Sequence, residues 1–141
     1  MSLIRRTPLR RSRTMGETKR TSRRKVTPQK AADAVFSLYI RKSRGGCEND
    51  RPGHVCRGRL ECAHGHERGH LRTRYDERNV WALCQGAHFY YSMHPTIWDA
   101  FMRRKQGDAY EEIRLLALRA EPVRLDYLAI AEEYRAKLAK L

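Results

Sequence analysis

The feature that most constrains the fold of this chain is a strand–loop–strand–helix pattern between residues 60 and 91. Leu60 to His66 reads as a short strand, and the compact apolar run Val80 to Leu83 suits a second one. A helix is expected to follow from Ala87 to Tyr91 and to end before Pro95. A chain of 141 residues favours a single domain with one small core, and a bound metal ion would help to stabilise it.

Helical patterns flank this segment on both sides. Thr27, followed by a proline, is suited to begin a first helix that Gly45 would end. Thr96 is expected to cap a later helix that ends at Gly107. The last helix carries one apolar stripe, formed by Tyr127, Ile130, Ala131, Tyr134 and Leu138. The sequence therefore predicts an α+β fold in which helices surround a small two-strand core.

Positive charge is the strongest signal in the composition. The chain has 30 Lys and Arg against 16 Asp and Glu, a net charge of +14, which predicts a polyanionic partner. Residues 1–26 hold ten of these basic residues beside a single acid, Glu17, and we expect them to form a disordered arm. Residues 27–141 then form the folded domain. The arm is expected to contact DNA phosphates through Arg5, Arg6, Arg10, Arg11 and Arg13.

The sequence carries no mark of a membrane or secreted protein. No apolar run is long enough to span a bilayer, and residues 1–13 lack the apolar region of a signal peptide. We therefore expect a cytoplasmic protein, in the host cytoplasm if a phage encodes it, with no membrane partner. In that reducing compartment cysteines are better read as metal ligands or buried thiols than as disulfides. The chain has four of them, Cys47, Cys56, Cys62 and Cys84.

Three residues of the central pattern fit the needs of phosphodiester hydrolysis. His64 lies on the first strand, Asn79 opens the second, and His88 falls in the first turn of the helix. Neutral imidazole suits a base that takes a proton from water at pH 7, and a divalent cation must neutralise charge on the phosphate. A third group must hold the base in its orientation. The expected roles are base for His64, positioning residue for Asn79 and metal ligand for His88.

These residues resemble the core of the HNH (His-Me finger, ββα-metal) endonucleases, and within them the phage NinG/Rap-type recombination nucleases. The family pattern is a His on the first strand, an Asn, a Leu-Cys pair, and a His four residues after that Cys. Here the pattern is His64, Asn79, Leu83-Cys84 and His88, and similar segments extend the resemblance over most of the chain. The resemblance implies DNA hydrolysis with a catalytic Mg²⁺ or Mn²⁺ ion, or Zn²⁺, leaving 5′-phosphate and 3′-hydroxyl ends.

The catalytic pattern departs from the family at one position. Many members have a metal-ligating Asp or His before the catalytic His, whereas here that residue is Ala63. Glu61, His66 or His70 would have to complete the ligand set. We favour His66, because on a regular strand it would share a face with His64, whereas Glu61 would lie opposite.

The resemblance also implies a structural zinc site made of two cysteine pairs. Cys47 and Cys56 correspond to the first pair, and Cys84 keeps one position of the second. The partner of Cys84 is replaced by Ala87. Structural zinc is normally four-coordinate, so Cys62 or His54 would have to supply the fourth ligand.

The sequence thus predicts a metal-dependent DNA endonuclease that acts on branched recombination intermediates or as a nickase. Arg72, Arg74 and Arg78 are candidate phosphate contacts beside the site. The alternative is a non-catalytic zinc-ribbon protein that binds nucleic acid, since the basic charge and the cysteines fit both. Only the endonuclease makes use of the His/Asn/His set. The oligomeric state and the target DNA stay open.

Overall fold

The computed structural model of the chain describes residues 25–141, so the arm predicted over residues 1–26 lies almost wholly outside the described residues. That part of the chain is α+β, with five helices and one pair of antiparallel strands. In chain order the elements are α1 (Pro28–Arg44), β1 (Leu60–His64), β2 (Val80–Cys84), α2 (Gln85–Met93), α3 (Pro95–Gln106), α4 (Ala109–Leu118) and α5 (Tyr127–Leu138). Two short 3₁₀ turns, Leu71–Thr73 and Glu77–Asn79, lie in the loop between the strands.

The two strands form an antiparallel hairpin in which Leu60 faces Cys84 and His64 faces Val80. Every residue of β2 is buried, which explains why this strand reads as a continuous apolar run rather than an alternating one. Glu48 covers the outer edge of β2, because its backbone N–H and its carboxylate bond to the carbonyl and N–H of Ala82. The outer edge of β1 has no strand partner among residues 25–141.

Helices cover both faces of the hairpin, and each face has its own apolar cluster. On one face, Cys62, Val80 and Ala82 pack against Phe36 and Ile40 of α1 and Tyr134 of α5. On the other face, the cluster joins α2, α3 and α4 to the sheet through Ala63, Trp81, Leu83, Ala87, Tyr91, Phe101 and Tyr110. Burying these side chains on two sides of a two-strand sheet stabilises it where the strands alone would be marginal.

The ends of α1 are those that the sequence predicts. The Thr27 hydroxyl accepts a hydrogen bond from the Lys30 N–H, and proline occupies the first helical position, where its missing N–H costs nothing. Gly45 ends the helix at φ 70°, a left-handed conformation that glycine adopts without steric strain. The prediction for this helix is confirmed.

Three predicted boundaries are corrected by the structure. β1 ends at His64 rather than His66, and α2 begins at Gln85 rather than Ala87, directly after β2. The third helix begins at Pro95, and no side chain caps it. Thr96 therefore lies inside the first turn, because Pro95 suits the first helical position and the helix starts two residues earlier than a Thr96 cap would give.

Within residues 25–141, no helix combines the length and the apolar composition that crossing a bilayer requires.

Candidate active site and metal centre

His64, the last residue of β1, is held by a hydrogen bond that defines its tautomer. Its Nε2 lies 3.0 Å from the carbonyl oxygen of Arg74. A carbonyl oxygen only accepts, so Nε2 carries the proton and Nδ1 keeps a free lone pair. Burial lowers the pKa of His64 from 6.5 to about 4, against the raising effect of the Arg74 carbonyl. His64 is therefore neutral at pH 7, with Nδ1 as the nitrogen that can accept a proton.

The backbone that holds His64 is itself anchored through the Arg74 side chain. This side chain is buried and forms a two-pronged ion pair with Asp33 of α1, at 2.7 and 3.0 Å. The Tyr75 hydroxyl donates a further hydrogen bond to the same carboxylate, at 2.8 Å. Because Asp33 belongs to a helix packed on the sheet, the Arg74 carbonyl is fixed relative to β1.

Asn79 links the two chain segments on either side of the His64–Arg74 bond. Its side chain is fully buried, and its Oδ1 accepts a hydrogen bond from the His66 N–H at 2.8 Å. Its Nδ2 donates to the carbonyl oxygens of His66, at 3.1 Å, and Thr73, at 3.0 Å. The loop leaving β1 and the turn before Arg74 are thereby held together, which is the geometry that a positioning residue requires.

His88, in the first turns of α2, is oriented by a carboxylate from β1. Its Nδ1 lies 2.8 Å from Oε2 of Glu61, and the hydrogen bond from His88 lowers the pKa of that carboxyl below its ordinary value. A carboxylate accepts, so Nδ1 donates, and in the neutral ring Nε2 keeps the lone pair that a metal ion can use. Metal-binding histidines are commonly oriented by a carboxylate in this way.

His64 and His88 line one cleft, at the open edge of β1. This β1 cleft consists of two adjoining cavities of about 340 and 350 Å³ that share Cys62, Arg68 and His88. Glu67 lines the cavity that contains His64, and Glu61 lines the other. Two histidines and two carboxylates thus border the same cleft.

His66 and His70 lie outside the β1 cleft. Their rings are 6.3 Å apart, and Nδ1 of His70 bonds to the carbonyl oxygen of Ala117 at 2.9 Å. The prediction that favoured His66 assumed a strand continuing to that residue, but β1 ends at His64. The structure therefore brings Glu61, and not His66, to His88.

The three arginines predicted as phosphate contacts each have a partner within the protein. Arg74 pairs with Asp33, as described above. Arg78 binds Asp76 at 2.7 Å and Glu112 at 3.2 Å. Arg72 donates to the backbone carbonyl of Glu121 at 3.0 Å. Their role in contacting DNA stays a prediction, and any phosphate would have to compete with these bonds.

Three other arginines line the β1 cleft, and sequence reasoning missed them. Arg41 lies on α1, Arg59 directly precedes β1 in the sequence, and Arg68 follows β1 in the loop. The closeness of Arg59 and Arg68 to His64 in the sequence could have indicated that they lie near the cleft. No sequence pattern indicates this for Arg41, because its position depends on the packing of α1 against β1.

A second group of reactive side chains lies where the loop after α1 meets the start of α2. One ligand atom each from Cys47, His54, Cys56 and Cys84 lies within 4.8 Å of the others, and this group could hold a metal ion. Tetrahedral zinc needs its ligand atoms about 3.5–4 Å apart, so only small adjustments separate this arrangement from a site. Of the two residues considered as the fourth ligand, His54 joins the group and Cys62 does not.

Cys84 has the character of a metal-ligating thiolate. Burial raises the pKa of its thiol, but hydrogen bonds from the Ala87 and Arg57 N–H groups and from His54 bring it down to about 6. Its Sγ also caps α2 by accepting the Ala87 N–H at 3.4 Å. Cys62 differs, because burial raises its pKa to about 12 and it packs in the α1 face of the sheet. Cys62 is therefore a core thiol.

The chain matches no protein-family model, no curated protein and no solved structure in the comparisons that we made. The functional conclusion therefore depends on the geometry and chemistry of the two sites.

Proposed function

We propose that the chain is a metal-dependent DNA endonuclease of the HNH type, with β1, β2 and α2 as its ββα core. The observation that carries the proposal is the arrangement of His64 and His88 around one cleft. His64 is neutral, its Nε2 donates to the Arg74 carbonyl, and its Nδ1 is free to take a proton. His88 lines the same cleft with its Nε2 unengaged by Glu61.

In the proposed reaction His64 acts as the general base on water. Its Nδ1 accepts the proton while the Arg74 carbonyl holds Nε2–H, so the ring keeps its orientation as it becomes charged. Asn79 acts as a positioning residue, since its hydrogen bonds fix both loops that frame the base. Arg41, Arg59 and Arg68 are the proposed phosphate contacts, because they supply positive charge along the β1 cleft.

A Mg²⁺ or Mn²⁺ ion would be held by Nε2 of His88 and by the carboxylate of Glu67, with Glu61 orienting the His88 ring from Nδ1. When bound, such an ion neutralises charge on the scissile phosphate and the leaving oxygen. Among residues 25–141 the only cluster of three or more close metal-binding side chains is the Cys₃His group. The catalytic ion therefore needs phosphate and water as further ligands, which is how Mg²⁺ is usually bound.

The Cys₃His group is proposed to hold a structural Zn²⁺ ion. Cys47 and Cys84 are joined by a hydrogen bond from the Cys84 N–H to Sγ of Cys47, at 3.1 Å. An ion there would tie the loop before β1 to the junction of β2 and α2. That junction carries His88, so zinc would stabilise the site without taking part in the reaction.

The alternative function is a non-catalytic zinc-ribbon protein that binds nucleic acid. The Cys₃His group and the net charge of +14 favour it as much as they favour the endonuclease. This alternative gives no reason for His64 and His88 to border the same arginine-lined cleft. It also gives none for the pKa of His64 to be lowered to about 4.

Cleavage of supercoiled plasmid distinguishes the two functions. The wild-type chain, loaded with zinc, is expected to produce relaxed plasmid when Mg²⁺ or Mn²⁺ is added and none without it. His70→Gln serves as a control with wild-type activity, because the ring of His70 lies outside the β1 cleft and bonds to Ala117. Folded wild-type protein that cuts no supercoiled, linear or branched DNA would favour the binding protein.

A further inference from the structure

A third cavity, of about 460 Å³, lies between α2 and the loop before β1 and shares no lining residue with the β1 cleft. Three apolar side chains along it are largely exposed: Val55 at 71%, Phe89 at 67% and Met93 at 62%. Phe89 and Met93 are one helical turn apart on α2, so they present one continuous apolar surface. We call this surface the Phe89 platform.

The rim of the Phe89 platform is basic. Arg51 and Arg57 line the cavity and supply this charge, and none of its lining residues, all in the described part of the chain, is acidic. The Arg51 guanidinium is held 3.4 Å from the centre of the Tyr90 ring, and His94 stacks on that ring at 4.2 Å. The Phe89 ring therefore stays open to a ligand while a cation is fixed beside it.

We propose that the Phe89 platform binds an unpaired nucleobase of single-stranded DNA, with its phosphates on Arg51 and Arg57. A flat apolar face beside fixed cations matches a nucleotide, whose base stacks on aromatic rings and whose phosphate is an anion. In duplex DNA the faces of the bases are covered by their neighbours, so only an unpaired base can reach Phe89.

This proposal rests on the proposed endonuclease function and defines its substrate further. Phe89 directly follows His88, the proposed ligand of the catalytic ion. A base on the platform would therefore lie close to the cleavage site. The preferred substrate is DNA with an unpaired segment beside the scissile bond, rather than an uninterrupted duplex.

The test measures binding without cleavage. Fluorescence anisotropy of labelled oligothymidine and of a duplex of equal length is measured with zinc-loaded full-length protein and no added Mg²⁺ or Mn²⁺. Phe89→Ala is expected to weaken oligothymidine binding roughly 5- to 30-fold, as removal of one stacking ring does, and to leave duplex binding within twofold. Phe89→Trp keeps a stacking ring and should retain single-strand affinity.

Leu128→Ala provides the matched control, because Leu128 is equally exposed, at 63%, but lies on α5. It should bind both DNAs as the wild type does. The proposal is overturned if Phe89→Ala binds oligothymidine normally, or if it loses single-strand and duplex binding equally. It is also overturned if sedimentation shows that the platform joins two copies of the chain. Oligothymidine binding that depends on Phe89 in a protein that cuts no DNA would support the platform and reject the endonuclease.

Discussion

The tautomer of His64 is the single-residue property on which the proposed chemistry depends most. A histidine in water exchanges freely between two neutral forms and is half protonated near pH 6.5. In this protein the Arg74 carbonyl selects the form with Nδ1 free, and burial keeps the ring neutral. In the proposed mechanism, the base is thus prepared before any substrate arrives.

His64 should therefore titrate far below an ordinary histidine. We expect a midpoint near pH 4 in the ¹³C-detected NMR titration of its imidazole, with Nε2 protonated and Nδ1 unprotonated at pH 7. Because the unfolded chain takes up this proton near pH 6.5 and the folded chain only near pH 4, folding stability should fall as the pH decreases between these values. A midpoint above pH 6, or the opposite tautomer, would contradict the assignment.

Glu61 should act as a positioning residue for His88. Glu61→Ala removes the acceptor of the Nδ1–H, so more Mn²⁺ should be needed for half-maximal cleavage, by roughly 10- to 100-fold. Glu61→Gln keeps an acceptor oxygen and should recover much of this loss. If both variants show the wild-type metal requirement, Glu61 does not orient the ion ligand.

The sequence predicts the identities of these residues better than their contacts. His64, Asn79 and His88 are singled out by their spacing, and the fold places His64 and His88 on one cleft. Strand alternation does place Glu61 on the face opposite His64, but it does not indicate that the Glu61 carboxylate meets His88 of α2 there. The bonds from Arg74 to Asp33 join residues 41 positions apart, and no local pattern indicates them.

At the level of elements, the junction between β2 and α2 combines several functions. Cys84 is the last residue of β2, the N-cap of α2 and a member of the Cys₃His group. The position of His88 therefore depends on how this junction is held. Because most helix stability comes from packing and end contacts, an ion at this point should stabilise the whole ββα unit.

Removing the Cys84 thiol should release zinc and destabilise the domain. Cys84→Ser is expected to contain less than one zinc per chain by elemental analysis and to melt at a lower temperature, because metal binding contributes to folding free energy. Cys62→Ser is the matched control, since Cys62 lies outside the Cys₃His group, and it should keep its zinc. Zinc-free wild-type protein that melts as the zinc-loaded protein does would reject the structural site.

Element types were predictable from local signals, and some boundaries were not. The cap and the glycine at the two ends of α1 are local features, and both are where the sequence indicates. The start of α3 was misplaced because threonine is favoured as an N-cap and proline is favoured as the first helical residue. Propensity alone does not choose between Pro95 and Thr96. His54 was one of two candidates for the metal group, and only the fold of its loop decides in its favour.

Across the whole molecule, charge and fold combine at the open edge of β1. Glu48 covers the edge of β2, whereas the edge of β1 faces the cleft lined by Arg41, Arg59 and Arg68. The net charge of +14 would attract DNA to any part of the surface, and in the proposed function this cleft is the place where the DNA is cut. The predicted phosphate contacts of the arm, Arg5, Arg6, Arg10, Arg11 and Arg13, lie outside the described residues and stay a prediction.

The most direct test compares His64→Ala with His88→Ala in plasmid cleavage over a Mg²⁺ and Mn²⁺ titration. His64→Ala removes the base, so cleavage should fall roughly 10²- to 10⁴-fold at every metal concentration while DNA binding persists. His88→Ala removes a ligand, so its activity should recover partly as metal is raised. Wild-type cleavage by folded His64→Ala would contradict the account.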